Sequence, residues 1–123
     1  MLKNLIAVSI MTVIVLLAGT ACQSKPATAG AAATLTVVTT EFKFTPDTLS
    51  VHAGERVQVT LDNTKGALKH DMRQPELNIH AEVEAGEKMT FEFTPSKAGT
   101  FDLVCDVSGH KDAGMVGKLI VQP

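Results

Sequence analysis

The sequence predicts an all-β fold, a sandwich or barrel in one domain, and three observations carry that expectation. From Thr34 onward, short runs rich in Val, Thr, Phe and Leu recur, Gly- and Pro-bearing turns separate them, and no helical period persists. A chain of 123 residues has room for little more than one domain, since single domains commonly run to about 100–150 residues.

Taken in order, residues Met1–Ala21 have a basic start at Lys3, an unbroken apolar run from about Leu5 to Ala18, and small residues before Cys22. That is the layout of a secretory signal. A permanent N-terminal anchor is the plainer alternative, because the run lies near the lower edge of spanning length. "LLAGTAC" resembles the lipobox of bacterial lipoproteins, although Gly19 stands where Leu is usual, and "GTA" also suits ordinary signal peptidase. Lipidation at Cys22 is preferred, since a free Cys at the start of an exported chain would otherwise be an unexplained reactive thiol. Residues 23–34, "QSKPATAGAAAT", bury too little apolar surface to offset their ordering entropy. With Cys22 they form an expected tether over 22–34, ahead of a domain over 35–123. The expected location is the periplasmic or extracellular face of the cytoplasmic membrane.

Removing Met1–Ala21 leaves ten Lys and Arg against thirteen Asp and Glu, a net charge of −3 with His neutral. Nucleic acid calls for a basic face, so it is excluded as a partner. A monomer is expected.

Within the body, Leu35 and Val37 alternate with polar residues and are followed, after an interruption, by Phe42 and Phe44. Pro46 marks a turn or edge before Leu49 and Val51. A turn at Ala53-Gly54 opens a run with Val57, Val59 and Leu61 on one face. Another at Ala85-Gly86 opens one with Met89, Phe91 and Phe93. Such alternation describes half-buried strands whose apolar faces pack together. The last two strands are "GTFDLVC" and "MVGKLIV". Between "LDN" and "EAGEK", roughly Thr64 to Val83 reads as the longest irregular stretch; long loops in compact domains are usually functional or disordered, and this one, with His70 among apolar residues, reads as functional. A helical turn near Leu77–His80 is disfavoured by Pro75 and Ile79.

Cys105, His110 and Met115 stand at five-residue steps between the last two strands. Thiolate, imidazole and thioether together form a soft set that favours copper over magnesium, calcium or manganese. A fourth ligand must come from elsewhere. His70, flanked by Leu68 and Met72, is preferred over His80, because the apolar flank suits a shielded site. His70, Cys105 and His110 in a plane with Met115 axial is the arrangement of blue-copper electron-transfer sites. Taken singly, Cys105 could be a buried structural thiol, Met115 a gap filler and His110 an exposed loop residue. A disulfide between Cys22 and Cys105 is the bland alternative for an exported chain. His52, in the turn "VHAGE", reads as solvent-facing.

"DNTKGALKHDM" followed by "AGEKMTFEFTPSKAGTFDLVCDVSGHKDAGMVGKLIV" resembles the cupredoxin family, the plastocyanin-, azurin- and auracyanin-like domains, from about Leu35 to Val121. The resemblance implies a Greek-key β-sandwich with one copper ion at one end that shuttles single electrons. Two departures stand out. Ser108 replaces the Pro that many members carry before "GH", which predicts a less rigid loop. Asp71 replaces an Asn whose side chain ties the two ligand loops together. If Asp71 faced Asp106, two carboxylates would resist joint ionisation. One would then be protonated, or Lys69 or Lys111 would lie close.

No acid–base pair or nucleophile triad is apparent, so an electron carrier rather than an enzyme is expected. Its redox protein partners would dock at the apolar end around His110, from Gly109, Ala113, Gly114 and Val116 to Leu68, over a small area. The alternative is a copper-binding module for trafficking or delivery to an oxidase, which would share all four ligands.

Overall fold

The computed structural model describes residues 33–123. The expected signal 1–21, the lipidation site Cys22 and most of the tether lie outside the described residues. Nine strands run β1 (Ala33–Thr40), β2 (Lys43–Thr45), β3 (Thr48–His52), β4 (Val57–Asp62), β5 (His70–Gln74), β6 (Ile79–Val83), β7 (Lys88–Phe93), β8 (Gly99–Val104) and β9 (Val116–Gln122). The first begins two residues before the expected domain start at Leu35, and its Ala33 and Thr34 already pair with Val57 and Gln58.

Two sheets form a Greek-key sandwich, one in the order β2-β1-β4-β7, the other β3-β9-β8-β5-β6. Pairing is antiparallel except where β1 meets β4 and β3 meets β9. The period-two runs bury the faces expected of them. Val37, Val57, Val59 and Leu61 from one sheet meet Leu49, Val51, Leu103, Leu119 and Val121 from the other. Met89, Phe91 and Phe93 are only partly buried against this core, because β7 is an edge strand.

Two expectations are corrected. The long loop is in fact two strands, β5 and β6, joined by a 3-10 turn at Pro75–Leu77, and only residues 63–69 remain irregular before His70. Alternation fails as a signal in β5 because four of its five residues are buried, on both faces. Phe42 does not continue the β1 stripe. It occupies the β1–β2 turn at φ +62°, a conformation a bulky side chain seldom adopts, and projects outward while Phe44 enters the core.

The sheets hold together unevenly. β8 pairs with β9 over six residues, but β5 and β8 share a single ladder position, Arg73 opposite Val104. That seam runs beside the cysteine and histidine singled out above.

At the end of β4, Asp62 Oδ1 accepts from the Thr64 amide at 3.1 Å and hydroxyl at 2.6 Å, while Lys88 Nζ lies 2.8 Å from Oδ2. The Lys88 ammonium and these hydrogen bonds lower the Asp62 pKa from 3.8 to about 2. A pKa depressed by folding contributes stability above the unfolded value and loses it as the pH falls through the folded one. Asp62→Asn is therefore expected to melt earlier than the parent at neutral pH, with the gap closing between pH 3.8 and about 2. Thermal melts across that range check it, and parallel curves at all pH values would overturn it.

Candidate metal centre

At one end of the sandwich the chain brings three donors together from two places. His70 opens β5, and the irregular segment before it is fixed on both sides. Asn63, fully buried, donates through Nδ2 to the carbonyls of Leu68 at 2.8 Å and Glu84 at 2.9 Å. Gly66 packs directly on that amide, where an added Cβ would lie 1.8 Å from Asn63 Oδ1. From the β1–β2 turn, Glu41 Oε1 accepts the Ala67 amide at 2.6 Å. The bond to this N–H holds the Glu41 carboxyl below its usual range.

Cys105, His110 and Met115 occupy the loop between β8 and β9, whose ends meet at Val104 opposite Val116. The Cys105 amide donates to the Met115 carbonyl at 3.1 Å, and the Met115 amide to the His110 carbonyl at 3.0 Å. Further bonds run from the His110 amide to Val107, from Ala113 to Gly109 and from Gly114 to Lys111. The loop is thus bonded through its own backbone, with Ser108 where many family members carry Pro.

His70 Nδ1 lies 3.2 Å from His110 Nδ1, and His110 Nδ1 lies 3.5 Å from Cys105 Sγ. Cys105, Met115 and His70 are fully buried and His110 is 6% exposed. Burial pushes the Cys105 thiol up, and the Asp71 N–H, 3.4 Å from Sγ, draws it partly back. Burial, reinforced by His110, pushes the His70 imidazole down. The imidazole is thus neutral at physiological pH, the form that binds metals, and the thiol keeps its proton until a cation displaces it.

Between the two ligand segments, Asp71 and Asp106 do not face one another as paired carboxylates, and this is a further correction. Asp71 Oδ1 accepts the Asp106 backbone amide at 2.6 Å, tying β5 to the Cys105 loop as an Asn oxygen would. The Asp106 carboxylate turns away to Arg73 Nη1 at 3.2 Å. Lys69, invoked as a neutralising neighbour, instead pairs with Glu82 at 2.8 Å and Glu84 at 3.4 Å.

Of the other histidines, His52 sits exposed at the end of β3 beside Glu55, and His80 is exposed on β6, away from the three donors. Met72 is buried core, whereas Leu68 is 42% exposed. Phe42, which sequence reasoning took for a strand residue, lies edge-on to the His110 ring with centroids 5.2 Å apart. Its position depends on a turn that no hydrophobic period encodes.

Bonds of about 2.0–2.3 Å to imidazole nitrogen and thiolate sulfur put the donors of a trigonal ion about 3.5 Å apart, close to the spacing found here. His70 Nδ1 faces the His110 ring and would be its ligand atom, which would leave the proton on Nε2, buried and without a partner among the described residues. Two imidazoles and a soft thiolate, with a buried thioether in the same loop, fit one copper ion.

Fold and donors together define a copper-binding β-sandwich. The chain belongs to the cupredoxin-like domain family, which matches residues 10–121. A relative, the copper-resistant cuproprotein CopI of Rubrivivax gelatinosus, is 30% identical over 70% of this chain and 64% of its own length. The chain spans less than two thirds of the length of the curated relatives it matches. Among solved structures, auracyanin B superposes with a TM-score of 0.66 at 22% identity, covering 76% of this chain and 91% of that one. Auracyanin A, a blue copper protein of Chloroflexus aurantiacus, gives 0.57 at 22% identity, covering 72% and 98%.

Proposed function

We propose that the chain is a type 1 copper protein that carries single electrons between redox partners outside the cytoplasm. The observation that carries this reading is the buried convergence of His70, His110 and Cys105, with Met115 enclosed in the same loop. His70, Cys105, His110 and Met115 would hold the ion. Bound copper supplies a one-electron Cu(II)/Cu(I) couple. The residues do the rest. The self-bonded loop and the Asp71 tether fix the donors so that little rearranges when charge changes, and burial excludes water and leaves no open position for a substrate. This supports a carrier rather than an enzyme.

Titration of the purified chain with Cu(II) tests this. An intense visible absorption saturating at one equivalent and bleached by reductant is expected, and a colourless complex would overturn it.

Phe42, 41% exposed, lies edge-on to His110, and Leu68, in the segment before His70, is 42% exposed. This end suits brief docking of a redox partner over a small area. Slower electron transfer in Leu68→Ala would accord with this face. Export as a monomer, with attachment to the membrane through lipid on Cys22, completes the proposal.

A second reading, copper trafficking or resistance, is favoured by the name of the relative from Rubrivivax gelatinosus. The two readings differ in how readily the ion should leave. The Phe42 ring covers the His110 edge, and contacts of this kind are worth about 0.5–1.5 kcal/mol beyond burial, a factor of about 2–10. Phe42→Ala is expected to speed loss of Cu(I) to a chelator by about that factor, with the blue absorption retained. Unchanged release would show that the ring is no barrier to exchange and would favour the delivery reading.

A further inference from the structure

His80 was weighed for the copper site and is not part of it, yet it does not stand alone. The registers place Asp71 opposite Glu82 and Arg73 opposite His80 on the outer face of the β5–β6 pair. One donor atom each from Asp71, His80 and Glu82 lies within 4.8 Å of the others. His80 Nε2 is 3.4 Å from Glu82 Oε1. β6 is the edge strand of its sheet, and His80 and Glu82 are half-exposed, so the cluster is open to solvent.

The buried member of the cluster supplies an independent argument. Asp71 is only 4% exposed; its Oδ1 accepts the Asp106 amide at 2.6 Å, and among the described residues its carboxylate forms no ion pair. The cations on this face are committed elsewhere, Lys69 to Glu82 and Glu84, and Arg73 to Asp106. An ion seated among these three side chains would be flanked on its inner side by a buried carboxylate.

We infer that Asp71, His80 and Glu82 form a second, exchangeable site for a divalent cation of borderline softness, separate from the buried copper donors. One imidazole and two carboxylates suit Cu(II) or Zn(II), and in the Irving–Williams order Cu(II) binds such a set more tightly. Lys69 competes with the cation for Glu82. The site stands whether or not the buried copper carries electrons.

The test uses the full chain already loaded with one Cu(II), its blue band reporting the first site. Further Cu(II) is added and followed by electron paramagnetic resonance and equilibrium dialysis. A second Cu(II) species with a tetragonal nitrogen and oxygen signature is expected at one additional equivalent. His80→Ala should weaken this second equivalent at least about tenfold, as loss of even an outer partner of a ligand does, with the blue band intact. Lys69→Ala should tighten it about two- to fivefold, the worth of a surface ion pair. Saturation of the parent at one copper, or a second equivalent bound as tightly in His80→Ala as in the parent, would overturn the inference. Loss of the blue band would bear on the first site alone.

Discussion

Cys105→Ser is expected to abolish the intense visible absorption of the copper-loaded protein while leaving the sandwich folded. A hydroxyl in place of the thiol removes the only thiolate donor of the proposed site and leaves a hard oxygen facing two imidazoles at a fully buried position. Copper prefers the soft donor. Affinity should fall by more than about 100-fold, beyond the 10–100-fold that loss of an outer partner of a ligand costs. The fold survives because Cys105 follows β8 rather than filling its ladder, and Ser is nearly the same size. Optical and copper-content measurements on parent and variant check this. Retention of the visible band would remove Cys105 from the site.

The second large effect falls on a residue that touches no donor. In Asn63→Ala, the carbonyls of Leu68 and Glu84 lose the amide that satisfies both. An unsatisfied buried acceptor costs about 1–3 kcal/mol, so a loss of about 2–4 kcal/mol is expected. In a domain of this size that lowers the melting midpoint by about 10–20 °C. Asn63→Asp should be similarly damaging, since it keeps the shape and removes the donor. Midpoints equal to the parent in both variants would show that the buried amide does not hold the segment before His70.

The ease of reading this chain differs from residue to residue. The five-residue steps of Cys105, His110 and Met115 are local, and local spacing survives folding unchanged. The runs through Val57–Leu61 and Leu119–Val121 are equally plain, because each buries one face against the opposite sheet. β5 was hidden for the opposite reason. Burial on both faces erases the alternation, and His70 looked like a loop residue. Phe42 misled because its direction depends on a backbone angle at a two-residue turn rather than on a period. Asn63 gave no signal, since "DN" before "TKG" reads as an ordinary turn until its amide is seen reaching two carbonyls of separate segments. Asp71 shows its role only in the fold. Its partner is the backbone of Asp106, and sequence compares side chains.

The single ladder pair between β5 and β8 gives the metal a mechanical part. His70 lies on one bank of that seam and Cys105 on the other, with one ladder pair, Arg73 opposite Val104, and side-chain ties from Asp71, Arg73 and Gln74 crossing nearby. An ion shared by both banks acts as a rivet. Any ligand that binds only the folded state stabilises it by mass action, and here that gain is concentrated where the sheet is least stitched. Backbone amides along β5 and β8 should therefore exchange with solvent faster in the metal-free protein, while the six-residue ladder of β8 and β9 stays protected. Colour would then report more than oxidation state, because it would fade when the seam opens and so act as a built-in gauge of whether the two halves of the sheet are joined.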